Sequence, residues 1–176
     1  GERFGGSQTA VVILEGEDVF AAQTLRRVEA LTAELELIEG VQFVTSLTNV
    51  LDVRKVEDGL EIGPLVDERA LERTAADGGQ GLRRYALGKP MYNGRLVSAD
   101  GKATIVVCQL REEADEAAAA GAIRRAVLAA GRPERTYFAG LAFQLSEINR
   151  LVQLDFIRLV PLAALLIVLS LALAFR

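Results

Sequence analysis

The chain has 176 residues, 24 of them acidic and 20 basic, with no histidine and a single cysteine. The missing histidine excludes Ser–His–Asp and Cys–His catalysis and histidine-ligated zinc or haem, and one cysteine excludes an internal disulfide. A net charge of -4 argues against a general nucleic-acid-binding protein, so we expect a protein that is not an enzyme, or an enzyme that relies on carboxylates alone.

The first half of the chain predicts a strand, a helix and a second strand. Residues 9–15 (TAVVILE) form a short β-branched run, and residues 41–47 (VQFVTSL) form another. Between them, Glu17 and Asp18 predict an acidic helix start, and Gly40 predicts its end. One apolar stripe at spacings of three and four runs along this helix: Leu25, Val28, Leu31, Leu35 and Ile38. The order predicts a βαβ unit.

Residues 52–95 depart from this plan and predict an insertion. They contain a Gly-Pro pair, a helix-like stretch near residues 67–76, the loose sequence DGGQG and a second short helical turn near residues 82–87. Long excursions from a core are often functional, although a solvated segment would look the same.

The second half repeats the plan with a hairpin inside it. Residues 95–98 and 102–110 flank an Asp-Gly pair, residues 112–130 predict an alanine-rich helix, and residues 135–139 predict the last strand. The combined order is that of the ferredoxin-like split βαβ (βαββαβ) sandwich. We therefore predict the α+β class, with an antiparallel sheet and two helices on one face, for a domain over residues 1–140.

The C-terminal part predicts one long helix that enters a membrane. Residues 141–155 form an amphipathic connecting helix, and residues 159–175 carry no charge and span about 25 Å as a helix. We predict a transmembrane helix over residues 156–176, because a chain of this size is too small to bury a wholly apolar helix. The chain begins without methionine and stops where the apolar run ends, so we expect a fragment of a longer protein.

Few side chains suggest chemistry. The carboxylates cluster at Glu15, Glu17 and Asp18 and again at residues 112–116, and helix N-termini explain both clusters. The sequence DGGQG lacks the GK[ST] of a phosphate loop. We expect the cysteine, Cys108, to be a buried apolar side chain, and we expect no metal and no cofactor.

Two long stretches resemble a known family. The opening FGGSQTAVVILEGEDVF, followed by GVQFVTSLTNVLDV, resembles the start of the first periplasmic loop of resistance-nodulation-division (RND) exporters. The ending, YFAGLAFQLSEINRLVQLDFIRLVPLAALLIVLSLALAFR, resembles the last strand of that loop, the connecting helix and the second transmembrane helix. The similarity is greatest to the MmpL-like branch, and the insertion matches less clearly.

The resemblance implies a periplasmic porter domain of a proton-driven inner-membrane exporter, with residues 1–155 on the periplasmic side. Implied partners are membrane lipid, a hydrophobic or lipid-like substrate, the remainder of the transporter chain, and a second copy or a periplasmic protein. The resemblance also implies that the proton-relay acids lie in a membrane helix outside this chain. Candidate residues of the substrate path are Phe20, Phe43, Tyr85, Met91, Tyr92 and Phe143. Candidate residues of a coupling helix are Asp155, Arg158 and Pro161.

Two other functions remain open from the residues alone. One is a membrane-anchored ferredoxin-like module that senses or binds a protein, as in an accessory subunit of protein translocation. The other is a membrane-tethered hydrolase that uses two carboxylates. The number of membrane helices in the full protein distinguishes the exporter from the anchored module.

Overall fold

The computed structural model describes residues 9–56, 59–131, 135–143 and 160–161. Six strands and four helices lie within these ranges. In chain order they are β1 (Thr9–Glu15), α1 (Ala22–Glu36), β2 (Val41–Thr45), β3 (Leu51–Val56), β4 (Gly59–Pro64), α2 (Glu68–Asp77), α3 (Gln80–Leu87), β5 (Ala103–Leu110), α4 (Glu116–Ala129) and β6 (Arg135–Ala139).

A four-stranded antiparallel sheet forms the centre of the fold, with the strand order β2-β5-β1-β6. Buried and half-buried residues alternate along β1 and β5 because successive side chains point to opposite faces of a sheet. Val12 lies opposite Val106 on one side and Phe138 on the other. The inward-facing residues of the two central strands therefore make one continuous apolar surface.

Helices α1 and α4 cover this surface and complete the main core. Val28, Leu31 and Leu35 of α1 pack there together with Ile123 and Val127 of α4. Ala119 and Ala120 are also buried, and their small side chains let α4 approach the sheet closely. The predicted α+β class with an antiparallel sheet and several helices is confirmed.

The predicted helix starts differ from the observed ones. Helix α1 begins at Ala22, because the Asp18 carboxylate instead accepts a hydrogen bond from the Phe20 N–H at 2.8 Å and pairs with Arg83 at 2.9 Å. Helix α4 begins at Glu116, since the Asp115 side chain accepts from the first free backbone N–H groups of that helix.

The insertion builds a second apolar core next to the main one. Strands β3 and β4 pair as an antiparallel hairpin, which the sequence analysis did not predict, whereas α2 and α3 lie where short helices were expected. Gly79, which joins the two helices, packs against the Phe20 carbonyl too closely to allow any side chain. The second core contains the following buried residues: Val19, Phe20, Leu25, Leu47, Leu65, Val66, Ala70, Leu71, Ala86, Tyr92 and Val97.

The predicted connecting and transmembrane helices lie outside the described residues, except for residues 141–143 and 160–161. Within the described ranges, no helix combines the length and the apolar character that crossing a membrane requires.

Candidate functional site

One highly connected polar group of the insertion is the carboxylate of Asp52, on β3. Its side chain is fully buried and accepts four hydrogen bonds. The Tyr92 hydroxyl at 2.7 Å and Lys89 Nζ at 2.8 Å donate to Oδ1. The Tyr85 hydroxyl at 2.6 Å and Arg54 Nε at 3.2 Å donate to Oδ2. We call these five residues the Asp52 cluster.

Arg54 extends the Asp52 cluster to the start of α2. Its guanidinium donates to the backbone carbonyls of Pro64 and Leu65 at 2.8 and 2.7 Å and pairs with Asp67 at 3.4 Å. Asp67 in turn accepts the Ala70 N–H at 2.6 Å and so caps α2. Side chains from β3, α3 and the loop after α3 thus meet at one buried carboxylate, and Arg54 connects it to Asp67, the cap of α2.

The environment of Asp52 keeps it ionised. Burial by itself raises the pKa of a carboxyl group, but the hydrogen bonds from Lys89, Tyr85, Tyr92 and Arg54 outweigh burial and hold the pKa of Asp52 well below its usual range. Burial, together with the bond to Asp52, raises the pKa of the Tyr92 hydroxyl. The hydrogen bond to Asp52 also raises the pKa of Lys89. These shifts keep Asp52 ionised and Lys89 and Tyr92 protonated at neutral pH.

This arrangement is suited to holding structure and unsuited to proton transfer. Both carboxylate oxygens already accept hydrogen bonds and the pKa of Asp52 lies well below its usual range, so Asp52 is unsuited to act as a general base near neutral pH. Within the described residues, no group of acidic or cysteine side chains has the geometry to hold a metal ion. What the Asp52 cluster does is fasten the β3–β4 hairpin to α2 and α3.

The opposite face of the hairpin carries four exposed apolar side chains. Val53 lies directly across from Ile62, and Leu51 and Leu60 flank that pair on the same face. These four side chains, which we call the apolar ladder, are between 51% and 72% exposed. Contiguous exposed apolar side chains of this kind are a common feature of interaction sites.

Two of the predicted substrate-path residues belong to the Asp52 cluster. Tyr92 is buried and Tyr85 is partly exposed, and the hydroxyl group of each donates a hydrogen bond to Asp52. Phe20 is fully buried in the second core, with the Arg83 guanidinium 5.5 Å from its ring centroid. The structure therefore groups Phe20 and Tyr92 in one core and places Tyr85 at its edge.

The other predicted path residues lie apart. Phe43 is exposed on β2, on the sheet face away from the helices, and Met91 is exposed in the loop after α3. Phe143 is buried against Phe138, with ring centroids 5.1 Å apart. Their role in a substrate path stays a prediction.

Of the predicted coupling residues, Asp155 and Arg158 lie outside the described residues. Pro161 is exposed and has a helical backbone.

The predicted acidic cluster after β1 is divided between two roles. Asp18 pairs with Arg83, and Glu15 accepts a hydrogen bond from the Tyr137 hydroxyl at 3.1 Å. Cys108 is buried in the sheet, as its apolar surroundings predicted, and burial raises the pKa of its thiol to about 12.

Asp52, Arg54 and Lys89 were not predicted from the sequence as site residues. A signal for the hairpin is present, since polar Asp52 and Arg54 alternate with apolar Leu51 and Val53 before an Asp-Gly pair at residues 58–59. Alternation predicts which side chains share a face, but it does not predict that Asp52, on the polar face, is buried.

Comparison with known proteins identifies the family. The sequence profile of the MMPL family matches residues 2–176, which is nearly the whole chain. A comparison with curated proteins finds no match. The resemblance to the MmpL-like branch of the RND exporters is thus confirmed, and the family consists of membrane proteins of the exporter type. The chain belongs to the MMPL family.

Proposed function

We propose that this chain is part of a proton-driven exporter of hydrophobic or lipid-like compounds. In this proposal the exporter lies in the inner membrane, residues 1–155 are periplasmic, and the domain forms part of the substrate path. Membership of the MMPL family supports the general class. The structural observation that carries the proposal is the exposed apolar ladder of the β3–β4 hairpin.

Exposure of the apolar ladder to water carries a free-energy cost. Each square ångström of apolar surface left in water forgoes about 25 cal/mol of stabilisation. Leu51, Val53, Leu60 and Ile62 together leave most of four large side chains uncovered. A surface of this kind is favourable where it contacts apolar material during the working cycle, and a hydrophobic substrate meets that condition.

The Asp52 cluster supports the proposal because it makes the apolar ladder rigid. Asp52 and Arg54 bind the polar face of the hairpin to α2 and α3, so the apolar face has a defined position. A positioned surface loses less conformational entropy on contact with a ligand than a mobile one. The hairpin is therefore better suited to form a wall of the substrate path than to act as a mobile arm.

The core of the domain is proposed to be ferredoxin-like. The sheet order β2-β5-β1-β6, with α1 following β1 and α4 following β5, supports that arrangement. The domain does no covalent chemistry in this proposal. Residues 141–155 connect it to a transmembrane helix over residues 156–176, and Asp155, Arg158 and Pro161 take part in coupling.

The test is an export assay with the full-length protein in its native membrane. We expect V53S/I62S to lower the export rate of a fluorescent hydrophobic compound about fivefold or more, because the polar groups weaken contact with an apolar substrate. The matched control is E61Q, because Glu61 lies on β4 next to Ile62 but on the opposite face of the hairpin. An ionophore that dissipates the proton gradient is expected to stop export by both proteins.

Normal membrane levels of V53S/I62S with unchanged export would remove the apolar ladder from the substrate path. No loss of export on deleting the gene would favour the anchored interaction module instead. For the coupling helix, substitution of Pro161 or a charge at Leu165 is expected to abolish export, and unchanged transport would count against coupling.

A further inference from the structure

The chain leaves the central sheet through a connection of a single residue. Strand β6 ends at Ala139 and residues 141–143 already have a helical backbone, so Gly140 alone joins the two. Gly140 has a positive φ of 103°, which residues with a Cβ rarely adopt. A Cβ at this position would also overlap the carbonyl oxygen of Thr9, on the neighbouring strand β1. The turn is therefore tight, and no free linker follows the sheet.

The first residues after this turn are packed into the main core. Leu141 is exposed, whereas Ala142 and Phe143 are 0% and 4% exposed and belong to the apolar cluster of the sheet and helices α1 and α4. The Phe143 ring lies against Phe138 of β6, with the ring planes at 57°. Tilted aromatic pairs attract each other beyond the burial of their surface. The chain is thereby anchored in the core directly after the turn.

A cation of α4 lies over both rings. The guanidinium carbon of Arg124 is 4.9 Å from the Phe138 ring centroid and 5.9 Å from the Phe143 ring centroid. Both distances are within the range of about 6 Å over which a cation is attracted to an aromatic face. Helix α4, strand β6 and the segment after Gly140 thus meet at one arginine. We call Arg124, Phe138 and Phe143 the aromatic joint.

The aromatic joint removes freedom of motion at the place where a linker would introduce it. A segment connected through several unpacked residues can reorient without moving the domain, because the backbone dihedrals of those residues stay free. Here a glycine in a crowded turn and a buried phenylalanine hold the segment in one packed direction. Contacts of this kind transmit a displacement, since a close-packed interior has low compressibility.

We propose that the aromatic joint makes the domain and the segment that follows it one rigid body, with Arg124 as the positioning residue. Displacement of the predicted transmembrane helix then reaches the sheet without being absorbed by a linker. This role in export rests on the proposed function, whereas the rigidity of the joint does not. The proposal also adds residues of α4 and β6 to the coupling residues Asp155, Arg158 and Pro161.

The first test measures the motion of the segment directly. Because Cys108 is buried in the sheet, a nitroxide label can be attached selectively to a cysteine introduced at Leu141, which is exposed. Electron paramagnetic resonance of the full chain in detergent micelles is expected to show an ordered label. R124Q is expected to shorten the rotational correlation time of the label by about twofold or more, because backbone motion on the nanosecond scale is released.

The matched control is R125Q, because Arg125 is the next residue of α4 and is exposed. It removes an equal charge from the same helix and is expected to leave the label as ordered as in the parent chain. R124K keeps a cation without the planar guanidinium group and is expected to give an intermediate mobility. F143L keeps an apolar side chain in the core without the ring, so it is expected to mobilise the label while the domain stays folded. Thermal unfolding at nearly the same temperature in R124Q and R125Q would show that the joint is released without loss of the fold.

The second test is export by the full-length protein in its native membrane. At normal membrane levels, R124Q is expected to lower the export rate about threefold or more, the size typical of mutations within a coupling network. R125Q is expected to export like the parent.

Three results would overturn the proposal: a label as ordered in R124Q as in R125Q, a mobile label with unchanged export, or reduced export with an ordered label. If the parent itself exports nothing, the proposed function fails, and the mobility of the label still decides whether the joint is rigid.

Discussion

Replacement of Asp52 by asparagine tests whether the buried carboxylate fastens the hairpin. The substitution keeps the shape and removes the charge. If the amide oxygen takes the place of Oδ1, the bonds from Tyr92 and Lys89 remain. The amide nitrogen then faces Tyr85 and Arg54, which both donate in the parent chain. At least one hydrogen bond is therefore lost, and the bond from Lys89 no longer joins opposite charges.

The magnitude follows from the kind of bond that is lost. A hydrogen bond to a charged group contributes about 1.5–3 kcal/mol. The Lys89 and Arg54 side chains are 30% and 25% exposed, so water screens part of that contribution. We expect D52N to lower the free energy of unfolding by about 2–3 kcal/mol, below the 3–5 kcal/mol typical of breaking a wholly buried ion pair.

The pH dependence of stability provides a second measurement. Because the pKa of Asp52 is held below its usual range in the folded chain, its stabilisation is complete above the unfolded carboxyl pKa of about 4. That stabilisation is lost as the pH falls through the folded pKa. The parent chain is therefore expected to lose more stability than D52N on acidification below about pH 4, so the two converge.

The assay is urea unfolding followed by circular dichroism in one detergent, with hydrogen exchange at the amides of β3 and β4. E61Q is the control, because it changes an exposed carboxylate of the same hairpin. It is expected to change stability by less than about 0.5 kcal/mol. A D52N chain as stable as E61Q, with unchanged exchange in the hairpin, would show that the carboxylate does not fasten the hairpin.

Three further outcomes are expected from single sites. Tyr92→Phe removes one buried bond to the carboxylate and should cost about 1–2 kcal/mol in urea unfolding; a change near zero would mean that water replaces the hydroxyl. Gly79→Ala should destabilise the chain by more than about 2 kcal/mol, since the added carbon overlaps the Phe20 carbonyl, whereas Gly78→Ala, also at positive φ but in open space, should cost about 1 kcal/mol in the same measurement. Cys108 should react with iodoacetamide at pH 8 about a hundredfold more slowly than a free thiol, because it is buried and its thiol pKa is raised to about 12; fast labelling of the folded chain would contradict its burial.

The main core was predictable from local patterns. Alternation in residues 9–15 and 103–110 and the apolar stripe from Leu25 to Leu35 reflect the periods of strands and helices, and the structure places those residues inside. Helix starts were less predictable. Aspartate is a residue type that often caps a helix, but the carboxylate of Asp18 instead pairs with Arg83, which lies 65 residues away in the chain.

The candidate site was predictable only in fragments. Tyr85 and Tyr92 were singled out as aromatic residues, yet their part in the structure comes from their hydroxyl groups, which converge on Asp52 across 33 and 40 residues of chain. No local pattern records that convergence. Similarly, the sequence alone would assign the apolar ladder to the buried face of a hairpin, because the alternation of apolar and polar residues has the same period whichever face is covered.

The amino-acid sequence by itself determined the α+β class, the positions of most strands and helices, the absence of histidine chemistry and, through the whole-chain match, membership of the MMPL family. Those properties follow from side-chain periodicity and composition, which act over a few residues. The tertiary structure decided that Asp52, on the polar face of the hairpin, is buried while the apolar side chains of the other face are exposed, and that Arg69 and Arg73 line a cavity. The physical reason is that burial of a charge depends on donors from distant segments meeting it, and here Asp52 receives four.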